Sequence, residues 1–258
     1  MLLSPEEISS LGVGFSKKEI QLHKGMSGLK YYLIILYLRF HLEPINIVRT
    51  TLTDIVNECG YSSNSHNTSI YDDWKTIMYE LISKEYITCS QDIMNISPIK
   101  QLIITFNYKK NPFFTNDSFV FITKNEFDMI TSYKTKMNKS VILGVFLFIK
   151  QYIIDTEHSS GISYPSKQQI KNGIGISSIS TIEKAINILV ELKLLYVKSD
   201  FYIEDTVNSG SYIPASNAYT LRDDIGIEVY ISELENKYGR PVYTKDSVPG
   251  KIKFLSKN

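Results

Sequence analysis

The chain has 258 residues, of which 43% are hydrophobic and 21% are charged, and its formal net charge is +1 at pH 7. This balance is typical of a folded globular protein and excludes a disordered chain, and the length allows one large domain or two smaller ones. The net charge alone does not exclude a polyanionic partner, because such a partner contacts a local excess of lysine.

Nothing in the sequence indicates export or a membrane-spanning helix. The start, MLLSPEEISS, lacks a basic segment followed by an apolar run. The most apolar segments, 29–40 and 141–154, are interrupted by a basic residue and are shorter than the roughly 20 residues that span a bilayer. Cys59 and Cys89 have neither the number of a disulfide framework nor the spacing of metal ligands. We therefore expect a cytoplasmic protein that makes no contact with a membrane.

The first half of the chain predicts three helices followed by two strands. Residues 28–42 are apolar nearly all round, which is typical of a buried helix. A short helix ended by Gly60 follows, and residues 70–82 repeat apolar side chains at the spacing of a third helix. The β-like runs YITCS and QLIITFNY come next, separated by a turn-rich segment. This is the order of elements in a winged helix, so we interpret residues 1–118 as a first domain.

The second half repeats this order after a strand at 119–123 and a short connecting helix at 126–133. Residues 138–155 predict a long apolar helix, and two shorter helices follow, separated by a glycine-containing turn. LLYVKSDFYI and SNAYTLR then predict two wing strands joined by the polar stretch EDTVNSGSYIPA. The predicted fold class is therefore α+β, mainly α, with two tandem winged helix-turn-helix domains. We place the second domain at 119–222, and a C-terminal helix with a basic tail at 223–258.

The most specific motif in the chain is YPSKQQIKNGIGISSISTIEKAINILVELKLL, residues 164–195. Ser166 follows a proline and fits the N-cap of the first short helix. Gly173 and Gly175 permit a sharp turn after that helix, at which one of the two neighbouring isoleucines can fill the core. The motif therefore predicts a helix-turn-helix.

The second helix of this motif predicts the surface that meets DNA. It begins either after Ser177 or one turn later, where Ser180 and Glu183 have the spacing of a capping box. With its apolar stripe turned inward, its outward residues are polar side chains that can contact bases or phosphates: Ser177, Ser178, Ser180, Thr181, Lys184 and Asn187. On the preceding helix, Lys167 and Lys171 are expected to contact phosphates. The alternative is a solvated helix face that contacts another protein.

Local charge differs along the chain. From Lys134 to Lys198, nine lysines stand against four acidic residues, a difference of +5. From Lys237 to the end, six basic residues stand against one acidic residue, again +5, and this tail either follows a phosphate backbone or is a solvated terminus. From Lys30 to Ser90, five basic residues stand against seven acidic ones, a difference of −2. The second half is therefore the better candidate for DNA binding.

The first domain is predicted to have a different role. Asp72 and Asp73 lie early in its would-be recognition helix, where a phosphate-lined groove would repel them. Either Asn64–Ser69 makes shallow contacts with DNA or the domain pairs with another protomer, and we favour pairing. The first helix carries more large aromatic residues than one small core needs, namely Tyr31, Tyr32, Tyr37 and Phe40. We therefore predict a homodimer.

Two tandem winged helices in a chain of this length resemble plasmid replication initiators of the two-winged-helix type. The resemblance is carried by GIGISSISTIEKAINILVELKLLYV and the closing strand SNAYTL, which are also similar to the winged helix of bacterial primosome and initiator proteins. It implies that one domain dimerises while the other reads repeated double-stranded DNA sites at an origin, with host replication proteins as further partners. A transcriptional regulator of similar fold and a winged-helix scaffold that binds proteins are the alternatives.

The sequence contains no recognisable catalytic motif. A nicking initiator needs a His-apolar-His pair, whereas the histidines of this chain are isolated: His23, His41, His66 and His158. A tyrosine recombinase needs a cluster of Arg and His, whereas the arginines here are few and scattered: Arg39, Arg49, Arg222 and Arg240. The phosphate-binding pattern GxxxxGK[ST] and the zinc-binding pattern HExxH are missing as well. We therefore expect a DNA-binding protein with no catalytic site, cofactor or metal.

Overall fold

The chain is an α+β protein whose helices pack around several small sheets. The structure is a computed structural model that describes residues 12–16, 20, 23–43, 46–62, 68–107, 119–153 and 160–252. The helices are α1 (Gly25–Gly28), α2 (Lys30–Phe40), α3 (Leu52–Glu58), α4 (Asp72–Ser83), α5 (Lys124–Ser132), α6 (Lys139–Lys150), α7 (Lys167–Ile174), α8 (Ile179–Glu191) and α9 (Ile227–Tyr238). The strands are β1 (Val13–Ser16), β2 (Ile47–Thr50), β3 (Ile87–Cys89), β4 (Leu102–Phe106), β5 (Phe119–Ile122), β6 (Ile162–Ser163), β7 (Tyr196–Lys198), β8 (Phe201–Glu204), β9 (Ser211–Pro214), β10 (Ala218–Thr220), β11 (Val242–Thr244) and β12 (Lys251–Ile252).

Two stretches of the chain contain helices and strands in the same order. In the first, β2 lies between α2 and α3, α4 follows, and β3 and β4 complete an antiparallel sheet of order β2-β4-β3. In the second, β6 lies between α6 and α7, α8 follows, and the antiparallel sheet has the order β6-β10-β7. The strands predicted at YITCS and QLIITFNY are confirmed as β3 and β4. β2 and β6, which have four and two residues, are not among the predicted strands.

Most predicted helices are present with shorter bounds. The strand and connecting helix predicted before the second stretch are confirmed as β5, which pairs with β1, and α5. α6 ends at Lys150, before the predicted end at residue 155, and residues 154–159 lie outside the described part of the chain. Within that part, none of the helices taken singly is long and apolar enough to span a membrane.

α2 and α6 pack against each other in one continuous hydrophobic core. From Tyr31 to Leu38, every side chain of α2 is at most 3% exposed. Gly144 of α6 allows the close approach of the chain segments, because a Cβ at this position would lie 2.8 Å from Cδ2 of Leu29. The core therefore runs through both stretches of repeated elements, and the first helices of the two stretches, α2 and α6, contact each other directly.

The large aromatic residues of α2 are taken up by this core. Tyr31, Tyr32 and Tyr37 are buried, and Phe40 is partly buried with its ring centroid 5.6 Å from that of Phe127. One of the two premises of the predicted homodimer, that these side chains exceed what the chain itself can bury, is therefore wrong, whereas the acidic balance of the first half stands. The homodimer itself stays a prediction.

The polar stretch between the predicted wing strands is itself folded. The predicted wing strand LLYVKSDFYI is also wrong as a single strand, because it is divided into β7 and β8, which belong to different sheets. β8 forms an antiparallel hairpin with β9 of the polar stretch, and β11 and β12 extend it to a four-stranded sheet of order β11-β8-β9-β12. α9 confirms the predicted C-terminal helix and packs on this sheet through Tyr230 and Leu234, which belong to a second hydrophobic cluster. The predicted basic tail is instead folded up to residue 252, because β11 and β12 pair with the hairpin. Lys253 and Lys257 lie outside the described residues.

Candidate nucleic-acid interface

Two helices joined by a tight turn carry the predicted site. α7 follows Ser166, whose hydroxyl accepts a hydrogen bond from the amide of Gln169, while the Gln169 side chain accepts one from the amide of Ser166. The predicted N-cap is thus confirmed. α7 is C-capped by Gly175, and α8 begins at Ile179. The chain bends by 100° between the two helices, within the range of about 90–120° that is typical of a helix-turn-helix.

The two glycines of this region have different roles. Gly175 lies in the turn with φ +72°, and a Cβ there would lie 2.8 Å from Cβ of Lys24. Gly173 lies inside α7 and not in the turn, so its predicted role is wrong. A Cβ at Gly173 would lie 1.9 Å from Cε2 of Phe148, which means that the packing of α7 on α6 requires this glycine. The isoleucines on both sides of Gly175 are 1% and 8% exposed, so both of them fill the core.

α8 turns its apolar stripe inward, as predicted. The residues that face the core are at most 5% exposed: Ile182, Ala185, Ile186 and Leu189. Ser178 is the N-cap residue, so neither the predicted cap at Ser177 nor the capping box of Ser180 with Glu183 starts the helix. The burial pattern thus leaves one face of α8 for contacts outside the core.

The start of α8 has no side-chain cap. The hydroxyl oxygens of Ser178 and Ser180 lie 2.7 Å apart, and the Ser178 side chain makes no capping hydrogen bond to the helix backbone. Backbone N–H groups in the first turn of a helix need an outside acceptor, and a phosphate oxygen is a favourable one. The N-terminus of α8 can therefore contribute to anion binding together with the two serine hydroxyls.

The predicted outward residues of α8 reach the surface side by side. Four of them are exposed, namely Ser177, Ser180, Lys184 and Asn187. The other two, Ser178 and Thr181, are half-buried. Three of these residues, Thr181, Lys184 and Asn187, line a groove of about 540 Å³. Lys136 and Asn138, from the segment before α6, line the same groove. The groove therefore combines two lysines and several amide and hydroxyl groups, which suit contacts to phosphates and base edges, with apolar side chains from Met26, Met137, Val141 and Ile188.

Two residues of this surface are not among the predicted site residues. Lys136 contributes to the local charge excess, but its place in the sequence does not reveal that its segment lies beside α8. Ile179, the first residue of α8, is 40% exposed and stands outside the inward stripe. An exposed apolar side chain at the start of a recognition helix can contact the methyl group of thymine.

The two lysines predicted on α7 are less available than the outward face of α8. The ammonium of Lys167 lies 2.7 Å from a carboxylate oxygen of Glu183 on α8, and their side chains are 37% and 45% exposed. Such a half-exposed pair contributes only about 0–1 kcal/mol, so a phosphate can displace the carboxylate. Lys171 is half-buried near the end of α7. Phosphate contact by Lys167 therefore requires that this ion pair be opened.

The corresponding helix of the first stretch, α4, presents a different surface. Asp73 pairs with the buried Lys30, whose ammonium lies 2.5 Å from the carboxylate oxygen. Burial and then the charge of Lys84 lower the pKa of His23 to about 4, so this ring beside α4 is neutral near pH 7. Asn64–Ser69, predicted to make shallow contacts, lies largely outside the described residues. The surface of α4 thus offers little positive charge to a polyanion.

The histidines of the described residues make contacts within the fold. His23 stacks on a tyrosine ring of α2 at 3.6 Å between centroids, and Nε2 of His41 lies 3.0 Å from a carboxylate oxygen of Glu58. In the described ranges, no three His, Cys, Asp or Glu side chains are grouped closely enough to hold a metal ion. His66 and His158 lie outside those ranges.

The chain was compared with protein-family models and with curated proteins, and neither comparison found a match. A function for it therefore has to be inferred from its own residues and their arrangement.

Proposed function

We propose that this chain is a sequence-specific double-stranded-DNA-binding protein with two tandem winged-helix units. The proposal is supported by the recurrence of one element order, helix-strand-helix-helix-strand-strand, with the same strand order in both three-stranded sheets. It is also supported by the 100° bend between α7 and α8, which suits a helix-turn-helix.

In this proposal α8 enters the major groove and reads the bases. The observation that carries it is the division of α8 into a buried apolar stripe and an outer face with exposed Ser180, Lys184 and Asn187. Asn can pair with adenine through two hydrogen bonds, and Lys can reach guanine or a phosphate. Lys136, across the groove from Lys184, adds a second cation for the DNA backbone.

The narrower role that we propose is initiation of replication of a plasmid or mobile element by binding repeated sites at its origin. Tandem winged helices with unequal charge favour a division of labour, in which the second unit reads DNA and the first contacts protein. The paired Asp73 of α4 and the neutral ring of His23 beside it fit this division, because protein contact does not require a cationic face. A second protomer and host replication proteins are the proposed partners of the first unit.

Selection of bound sequences from random duplex DNA, followed by mapping of those sequences, tests both levels of the proposal. We expect a consensus enriched over background, with bound sites clustered as repeats near a replication origin. A consensus found upstream of transcribed genes and not at an origin would support the transcriptional regulator instead. Binding that follows charge alone, without a consensus, would contradict base reading by α8.

A further inference from the structure

A cavity of about 530 Å³ lies between α6, α7, β6 and α9, apart from the DNA-reading face of α8. Much of its wall is apolar and comes from Phe148, Ile162, Pro165 and the ring of Tyr164. This volume falls within the roughly 300–1,000 Å³ of pockets that enclose small organic ligands.

One buried polar group in the wall lacks a hydrogen-bond partner. Ser163 lines the cavity and is 2% exposed, and its hydroxyl makes no hydrogen bond within the described part of the chain. A buried hydroxyl without a partner is unfavourable by about 1–3 kcal/mol, so such groups usually meet a water or a ligand. The Ser163 residue thus brings a hydroxyl that is unpartnered among the described residues close to the cavity wall.

The charged groups at the cavity are both cations. Lys24 and Lys237 line it, and no acidic residue belongs to the lining formed by the described residues. Lys237 is exposed, and its ammonium lies 3.1 Å from the carbonyl oxygen of Tyr164, 3.0 Å from the hydroxyl oxygen of Ser216 and 4.9 Å from the centre of the Tyr164 ring. The nearby Glu233 carboxylate accepts a hydrogen bond from the Tyr164 hydroxyl, at 2.7 Å. Because both charged lining residues are lysines and the Glu233 carboxylate is already bonded to the Tyr164 hydroxyl, the cavity favours an anion over a cation.

We propose that this cavity binds a small organic anion with a flat apolar body, that is, an aromatic carboxylate. The apolar wall removes the body of the ligand from water, and the two ammonium groups attract its carboxylate. A ligand oxygen that reaches the Ser163 hydroxyl would give it the hydrogen-bond partner that it lacks within the described part of the chain.

The position of the cavity links it to the helix-turn-helix. Asn172 and Gly173 of α7 form part of its lining, and α7 packs directly against α8. A bound ligand is expected to change DNA affinity, and DNA then changes ligand affinity by the same factor. This second step rests on the proposed function, whereas binding of the ligand does not.

Calorimetric titration of the full chain with indole-3-acetate tests the binding step, with the neutral indole-3-acetamide as the matched probe. We expect saturable binding of the acid, at least tenfold tighter than that of the amide. Lys24→Gln should remove most of this preference, and Asn172→Trp should block both probes by filling the cavity. Asn172 and Lys24 are exposed, so both variants are expected to fold, which thermal melting without ligand checks. Lys198→Gln, an exposed lysine outside the cavity, is the control.

The outcomes separate the two proposals. No binding at concentrations up to about 10 mM, tenfold above a weak dissociation constant of roughly 1 mM, would overturn the ligand site. Equal affinity for acid and amide, or binding unchanged by Asn172→Trp, would overturn it as well. Saturable binding that Asn172→Trp abolishes, in a protein that binds no DNA, would support the ligand site while removing the proposed function.

Discussion

The carboxylate of Glu183 on α8 holds the ammonium of Lys167 on α7 at 2.7 Å, across the turn of the helix-turn-helix. Both side chains are more than a third exposed, so the pair contributes only about 0–1 kcal/mol to the stability of the fold. Its larger effect is on charge, because it neutralises one of the two lysines that the sequence assigns to phosphate contacts. An acidic group at this position opposes the approach of a polyanion.

Removal of that negative charge should strengthen DNA binding. In Glu183→Gln, Lys167 is released toward phosphate, and we expect an affinity several-fold higher and a log–log salt dependence steeper by up to about one unit. Fluorescence anisotropy with a labelled duplex over a series of salt concentrations measures both quantities. Glu191→Gln, an exposed position at the other end of α8, is the matched control. Weaker binding by Glu183→Gln would contradict a phosphate contact by Lys167.

Reversal of the charge of Lys184 should weaken DNA binding without loss of the fold. The residue is exposed on the outer face of α8, so Lys184→Glu is expected to change the melting temperature little. A contact of this kind contributes about 1–3 kcal/mol, which corresponds to roughly a 5- to 150-fold loss of affinity. Lys193→Glu, just beyond the C-terminal end of α8, makes the same charge change away from the groove. Equal effects of the two variants would mean that net charge, and not the groove, determines binding.

The two glycines of the helix-turn-helix should respond to alanine for different reasons. In Gly173→Ala the new methyl group overlaps the ring of Phe148, and we expect destabilisation by about 1–3 kcal/mol or more. In Gly175→Ala a positive φ and contact with Lys24 act together. The control is Gly210→Ala, which has a positive φ and no neighbour within 4 Å.

Chemical denaturation of these variants measures the differences. Gly210→Ala should lose about 1 kcal/mol from its backbone conformation alone, and the other two should lose more. Phe148→Leu in the Gly173→Ala background should restore part of the loss, because the shorter side chain leaves room for the methyl group. A loss at Gly175→Ala no larger than at Gly210→Ala would show that the contact with Lys24 adds nothing to the effect of φ. Unchanged stability of Gly173→Ala would contradict the overlap with Phe148, because Gly173 has no positive φ.

Two truncations should have different effects on stability and on DNA binding. A chain that ends at Ile252 keeps β12 and loses Lys253 and Lys257. Its melting temperature should be unchanged, and the slope of log K for DNA against log salt concentration should become shallower by at most about two units. A chain that ends at Lys245 also loses the pairing of β12 with β9, and it should melt at a lower temperature. Equal melting temperatures for the two truncated chains would contradict a structural role of β12.

Sedimentation of the free protein and of its DNA complex tests the predicted homodimer. If two protomers bind an inverted repeat, the complex should contain two chains with half-sites about 34 Å apart. One protomer per site at every concentration would assign another role to the first unit.

The helices of this chain follow from local patterns, whereas its contacts over long distances do not. The stripe through Ile182 and Leu189 predicts the buried face of α8, and Ser166 predicts the start of α7, because both signals lie within a few residues. The role of Gly173 depends on Phe148, which is far away in the sequence. The aromatic residues of α2 illustrate the same limit. Their number exceeds what the core of one small domain needs, but the sequence does not reveal that α2 shares its core with α6.

The candidate site also combines features that follow from local sequence patterns with features that depend on long-range contacts. The outward face of α8 could be predicted from helical periodicity alone, and its residues do lie together at the surface. The contribution of Lys136 and the ion pair of Lys167 with Glu183 depend on how segments meet in space. Charge counting along the sequence treats every lysine as equal, although burial and pairing make some of them less available to a phosphate.

The contact of Gly144 with Leu29 has a consequence for how this chain can be divided. Separation of the halves between residues 107 and 119 would uncover the apolar surfaces of α2 and α6 in water. Each fragment would then expose an apolar surface on the order of several hundred Å², which is as large as the largest apolar patches on typical monomers. Such a fragment would tend to aggregate. Heating of the intact chain should therefore give one cooperative transition, in which both halves unfold together.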